Sequence, residues 1–162
     1  MTEQERDMIN SLTNEDFIPF NEFNLKWRFT EEKYNRLPEE DLSLIQPLSK
    51  RRAKEFNRHS RKYFGNASLL KSEFSTVQSV KISDNHEVVR DWLRAKQIHP
   101  ETRVAVSWDS ADCVITPWRL FCKYWDDFCY PSSDDILVWS STEDWVLYYC
   151  HHEIFEYGTK KS

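Results

Sequence analysis

Residues 102–157 constrain the fold more than any other stretch, because they spell a hairpin, an amphipathic helix and a second set of hairpins, and hold five of the seven tryptophans. From Thr102 to Trp108 the sequence alternates with period two. That sets Val104, Val106 and Trp108 on one face and Arg103, Ala105 and Ser107 on the other, the pattern of a half-buried strand. Asp109-Ser110-Ala111-Asp112 supplies turn formers, and residues 113–116 read as the returning strand. Thr116 is placed to cap a helix and Pro117 to open it. Within that helix Trp118, Phe121, Cys122, Trp125, Phe128 and Cys129 form one broad apolar stripe. Residues 131–135 break the helix. Residues 136–140 and 145–150 then read as strands joined by a turn at 141–144, and His151-His152-Glu153 turns into a last strand over 154–157 that Gly158 ends. The expected fold is α+β: one domain over residues 1–162, with a mostly antiparallel sheet packed against several helices.

The amino-terminal half reads as more helical. Residues 1–15 are a flexible or loosely docked helical lead, since Met8, Ile9 and Leu12 give only a thin apolar edge. Residues 23–29 alternate Phe23, Leu25, Trp27 and Phe29 with polar neighbours, which predicts a strand joining the sheet. Pro38 opens a short helix with acids in its first turn, and Pro47 stops it. Ser49 caps a helix running to about Phe64, with Gly65 as its C-cap. Residues 66–80 carry few apolar anchors and read as a loop. Asp84 to Glu87 makes a capping box for a helix whose apolar face is Val88, Val89, Trp92 and Leu93.

A chain of 162 residues buries roughly 70% of its unfolded surface, enough for a core that needs neither disulfide nor metal staples. The two glycines, Gly65 and Gly158, disfavour folds in which backbone must approach a phosphate, so no dinucleotide or other cofactor is expected. No apolar run is long enough to span a bilayer and the chain opens on polar residues, which predicts a cytoplasmic protein. Cys113, Cys122, Cys129 and Cys150 fall within predicted elements and are expected to be buried thiols without a disulfide.

The order of parts resembles a proteobacterial family of small acidic proteins known only as a domain of unknown function. The residues that carry the resemblance are Phe17-Ile18-Pro19 leading into Lys26-Trp27-Arg28-Phe29, Ile45-Gln46-Pro47-Leu48, Trp108-Asp109-Ser110, Thr116-Pro117-Trp118 with Trp125, and Phe155-Glu156-Tyr157-Gly158. The resemblance covers nearly the whole chain except the segment near 66–80. It implies an architecture and no activity, and it transfers no functional residue.

Three constellations invite a functional reading. Lys50, Arg51, Arg52, Lys54, Arg58, Arg61 and Lys62, with His59, could meet phosphate, but the chain carries net charge −5 and few aromatics accompany these cations. A solvated helix face is therefore expected, with nucleic acid an unfavoured partner. Cys150-His151-His152-Glu153 is the second. Adjacent histidines on a strand point to opposite faces and cannot share a metal unless a turn bends them together, so no metal is expected.

The third is an acidic aromatic block in which Asp134, Asp135, Glu143 and Asp144, with Trp139 and Trp145, would form a face for a basic protein partner. The leading functional expectation is a noncatalytic protein-binding module of that kind, inhibitor-like or immunity-like. The alternative is a small hydrolase or transferase in which His151 or His152 is a general base beside an acid such as Asp144 or Glu153. No nucleophile elbow or phosphate loop accompanies those histidines, which weighs against an enzyme.

Overall fold

A computed structural model describes residues 8–162 of the chain. The principal elements in chain order are α1 (Trp27–Thr30), α2 (Glu39–Leu42), β1 (Gln46–Pro47), α3 (Lys50–Ser60), β2 (Phe64–Gly65), β3 (Ser68–Leu69), β4 (Phe74–Lys81), α4 (His86–Arg94), β5 (Arg103–Ser107), β6 (Cys113–Pro117), α5 (Trp118–Lys123), α6 (Trp125–Phe128), β7 (Ile136–Trp139), β8 (Trp145–Cys150) and β9 (Ile154–Lys160). Seven strands form one sheet in the order β1-β6-β5-β7-β8-β9-β4, every neighbouring pair antiparallel, and β2 and β3 form a separate small hairpin. The fold is α+β and forms a single domain. Among the described residues no helix is long and apolar enough to cross a membrane.

The sheet is covered on both faces. On one side Val104, Val106, Val138, Leu147 and Phe155 pack with Val89 and Leu93 of α4 and with the stripe Trp118, Phe121, Trp125 and Phe128. On the other, Ala105, Ile115, Leu137, Trp139, Val146 and Tyr148 pack with Ala53 and Phe56 of α3. This double coverage corrects the half-buried reading of β5. Ala105 and Ser107, assigned to an outer face, are buried because α3 lies over them, and Asn57 Nδ2 of that helix donates to Ser107 Oγ at 3.4 Å. Alternation in such a strand separates two cores instead of a core from solvent.

Other expectations also change. The stripe over 118–129 is buried, but the helix breaks at Tyr124 (φ −118°, ψ 27°) into α5 and α6, and the N-cap of α5 is Pro117, with no side-chain cap. Thr116 is held inside β6, its buried hydroxyl without a hydrogen-bond partner, because the strand runs one residue further than the cap assignment assumed. Residues 23–29 are no strand. Successive amides bond three residues back, Lys26 N to Phe23 O at 3.2 Å and Phe29 N to Lys26 O at 3.0 Å, so Phe23 and Phe29 reach the core by tight helical turns. The α4 cap is Asn85, one residue later than read, whose side chain accepts from Glu87 N at 3.1 Å.

The segment read as a loop over 66–80 contains β4, an eight-residue edge strand paired with β9 from Phe74↔Lys160 to Lys81↔Ile154. Its side chains are mostly exposed, so hydrophobic periodicity could not reveal it; backbone pairing and β-tolerant Ser, Thr and Val hold it. Gly65 lies in β2 and is not a helix C-cap, while Gly158 lies inside β9, which continues past it to Lys160. A Cβ at Gly158 would sit 2.6 Å from the buried Phe74 ring, which explains a glycine in mid-strand. Of the lead over 1–15, residues 1–7 lie outside the described residues; beyond them Ile9 is buried and Asn14–Asp16 forms a 3-10 turn.

Asp16 ties this entry to α3. Its carboxylate accepts from Arg52 Nε at 2.8 Å and Thr13 N at 2.8 Å, and its carbonyl accepts from Ser49 N at 2.7 Å. The Arg52 hydrogen bond, followed by the Thr13 amide, holds its pKa below the ordinary carboxylate value. A folded pKa below the unfolded one stabilises the fold above the unfolded value, and that stabilisation disappears as pH falls through the folded value. Asp16→Asn is therefore expected to lower stability at neutral pH and to flatten its decline below about pH 4. Denaturant titrations across pH measure this, and parallel acid limbs for the two proteins would contradict it.

Candidate functional site

The β8 strand ends at Cys150 and β9 begins at Ile154, its direct cross-strand partner, leaving His151, His152 and Glu153 to make the connection. Glu153 N donates to Cys150 O at 2.8 Å, and Glu153 takes a left-handed φ of 63°. A three-residue hairpin connection ending in a left-handed residue has this form. It also bends the two histidines toward each other: their ring centroids lie 4.1 Å apart. The opposite-face expectation held for a strand, and these residues are in a turn.

The β7–β8 register brings in the next partner. Ile136 pairs with Tyr149, so Asp135, one residue before β7, sits beside the end of β8. Its carboxylate accepts from the His151 amide at 3.0 Å and from the Tyr148 hydroxyl at 3.1 Å, and lies 2.9 and 3.1 Å from His151 Nδ1 through its two oxygens. Partial burial pushes the Asp135 pKa up, but hydrogen bonds from the His151 ring, the His151 amide and Tyr148 outweigh it and hold the group below the usual value. Burial and the Asp135 charge raise the Tyr148 hydroxyl far above the ordinary phenol, so it serves as a donor. Cys150 is buried beneath this group, and its Sγ accepts from His152 N at 3.4 Å. The acid that meets a histidine of this turn is thus Asp135, and not Asp144 or Glu153.

The proposed acidic aromatic face is dispersed. Trp139 and Trp145 are 1% and 3% exposed. The first packs between Phe56 and His59; the second stacks on Tyr157 and donates from Nε1 to Glu143 Oε2 at 2.7 Å. Asp134 is also buried, bridging Arg28 through contacts of 2.6 and 3.1 Å and accepting from Tyr130 N at 2.8 Å. Asp135 and Asp144 are exposed and Glu143 half-buried, but the two groups lie at opposite ends of β7, roughly 13 Å apart along four strand residues. Acids close in sequence thus sit at turns on different ends of the sheet.

Other charged groups gather beside α4 and along α3. A cleft of about 570 Å³ beside α4 is lined by Arg90, Arg94, Lys123, Tyr124, Asp126 and Asp127, among others. Arg90 donates from Nε to Cys122 O at 3.0 Å and contacts Glu87 and Asp126, while Asn35 donates to Asp127 at 2.8 Å. In α3 the residues Ala53, Phe56, Asn57 and Ser60 face the sheet while Lys50, Arg51, Lys54 and Arg58 face solvent, the amphipathic division of a solvated helix. All four cysteines are buried thiols without a disulfide, and burial pushes the Cys122 thiol up to about 12.

A family model described as "Protein of unknown function (DUF2947)" matches residues 17–158. No curated protein and no solved structure is significantly similar to the chain.

Proposed function

We propose that this chain, which belongs to the DUF2947 family of proteins of unknown function, is a noncatalytic protein-binding module that meets a basic partner at the His151 end of its sheet. The observation that carries the reading is the register. Ser107 pairs with both Cys113 and Leu137, and Cys150 with Ile154, so the 108–112 turn, Asp135 and the 151–153 turn all emerge at one sheet end. The exposed carboxylates there are Asp109, Asp135 and Glu153. Large exposed apolar side chains among the described residues are confined to Tyr34, Leu70 and Val88. Recognition on such a surface rests on charge, which favours fast capture of an oppositely charged partner over a large dry interface. The net charge of −5 supports a basic partner, and four buried thiols suit a reducing compartment such as the cytoplasm.

The catalytic reading has one observation in its favour, the Asp135 contact that fixes the His151 ring with Nδ1 inward. Against it, the described clefts beside α4 and around α2 do not include His151.

The test is affinity capture at low salt with three baits: the native chain, an Asp109→Asn/Glu153→Gln variant, and Asp144→Asn from the opposite end. A basic protein retained by the native chain and by Asp144→Asn, lost from the double variant and eluted by salt, is the expected result. Equal retention by all three baits would contradict the assignment of the surface.

A further inference from the structure

We infer that Cys150, His151 and His152 form a binding site for one zinc ion, built by the turn that brings the three side chains to one point. One candidate ligand atom from each, the Cys150 sulfur and a ring nitrogen from each histidine, lies within 4.8 Å of the others. Tetrahedral zinc with Zn–S of about 2.3 Å and Zn–N of about 2.0 Å needs ligand atoms roughly 3.5 Å apart. The difference is within reach of ring rotation at an exposed turn, where His152 faces solvent and His151 is half-buried.

Two further observations point to a metal and not to a chance cluster. Asp135 engages His151 at Nδ1, 2.9 Å away, which presents Nε2 as the ligating atom; a carboxylate behind a ligating histidine is the usual supporting arrangement. The amide of His152 donates to Cys150 Sγ at 3.4 Å, which orients that sulfur toward the turn. One thiolate and two neutral imidazoles suit a borderline-soft divalent ion and disfavour calcium or magnesium, which take oxygen ligands. On binding, the Cys150 thiol releases its proton, the sulfur and two nitrogens donate their pairs to the ion, and the Asp135 carboxylate balances the remaining positive charge. The fourth position faces solvent and takes water. This inference does not depend on the basic partner proposed above, since zinc uptake is measured with the chain alone.

The test is titration of chelator-treated protein with Co2+ as a spectroscopic stand-in, followed by Zn2+ in competition with a chromophoric chelator. One Co2+ per chain, with a thiolate-to-cobalt charge-transfer band that zinc abolishes, is expected. Asp135→Asn should keep the stoichiometry and weaken zinc binding roughly 10- to 100-fold. Cys150→Ser should lose the band; because Cys150 is buried, His152→Ala at an exposed turn position provides the variant whose fold is not at risk, and it should weaken zinc at least as much as Asp135→Asn does. No charge-transfer band in the native chain, or unchanged zinc affinity in His152→Ala, would overturn the site.

Discussion

Arg28→Ala is expected to lower the free energy of unfolding by about 3–5 kcal/mol, because it strands the Asp134 carboxylate in the interior without its counter-charge. The two side chains are 6% and 8% exposed, and Arg28 also donates to Phe128 O at 3.1 Å. Its guanidinium lies 4.2 Å from the Tyr130 ring centroid and 5.2 Å from that of Trp27, so the substitution removes packing as well as charge. Replacing both partners, Arg28→Met with Asp134→Leu, should recover much of the loss, since no buried charge then remains unpaired. Equilibrium denaturation of the two variants measures both quantities. A loss under about 1 kcal/mol for the single variant would mean that the pair is solvated and behaves like a surface ion pair.

Trp125→Ala should cost a similar amount, about 3–5 kcal/mol, for a different reason. Trp125 is 2% exposed where α6 meets the sheet, its ring edge-on to Phe155 at 5.7 Å and its Nε1 donating to His86 O at 3.3 Å. Truncation opens a cavity that α4 and β9 together cannot close, and it removes the hydrogen bond to His86 O. Domains of this size are held by about 5–15 kcal/mol, so the variant should retain little folded population on mild heating. A chain that melts within a degree or two of the native one would place the stripe at the surface.

The carboxy-terminal hairpins were legible because their strands are runs of β-branched and aromatic residues and each turn is spelled in polar residues. The double coverage was also present in the sequence, in the near-continuous apolar runs Ile136-Leu137-Val138-Trp139 and Trp145-Val146-Leu147-Tyr148-Tyr149, although alternation in β5 suggested a single buried face. The Asp135–His151 contact could have been derived as well. A turn at 141–144 pairs residue 140 with 145, and counting back along that register sets 135 opposite 150. The Arg28–Asp134 pair is another matter, since its members are 106 residues apart and no local pattern links them. Strand β4 gives no periodic signal because most of its side chains are exposed and pairing with β9 supplies much of its support. The separation of Asp135 from Glu143 and Asp144 is not legible from proximity, because closeness in sequence does not say which sheet end a turn occupies.

The central claim, that the carboxylates at the His151 end capture a basic partner, is tested most directly by the association rate of the isolated complex as a function of ionic strength. Rim charges act over a screening distance of about 10 Å at 0.1 M salt and mainly set how fast partners meet. The rate for the native chain should fall steeply with added salt. Asp109→Asn/Glu153→Gln should start lower and fall less, and Asp144→Asn should follow the native curve. An association rate indifferent to salt, or slowed as much by Asp144→Asn as by the double variant, would contradict the account.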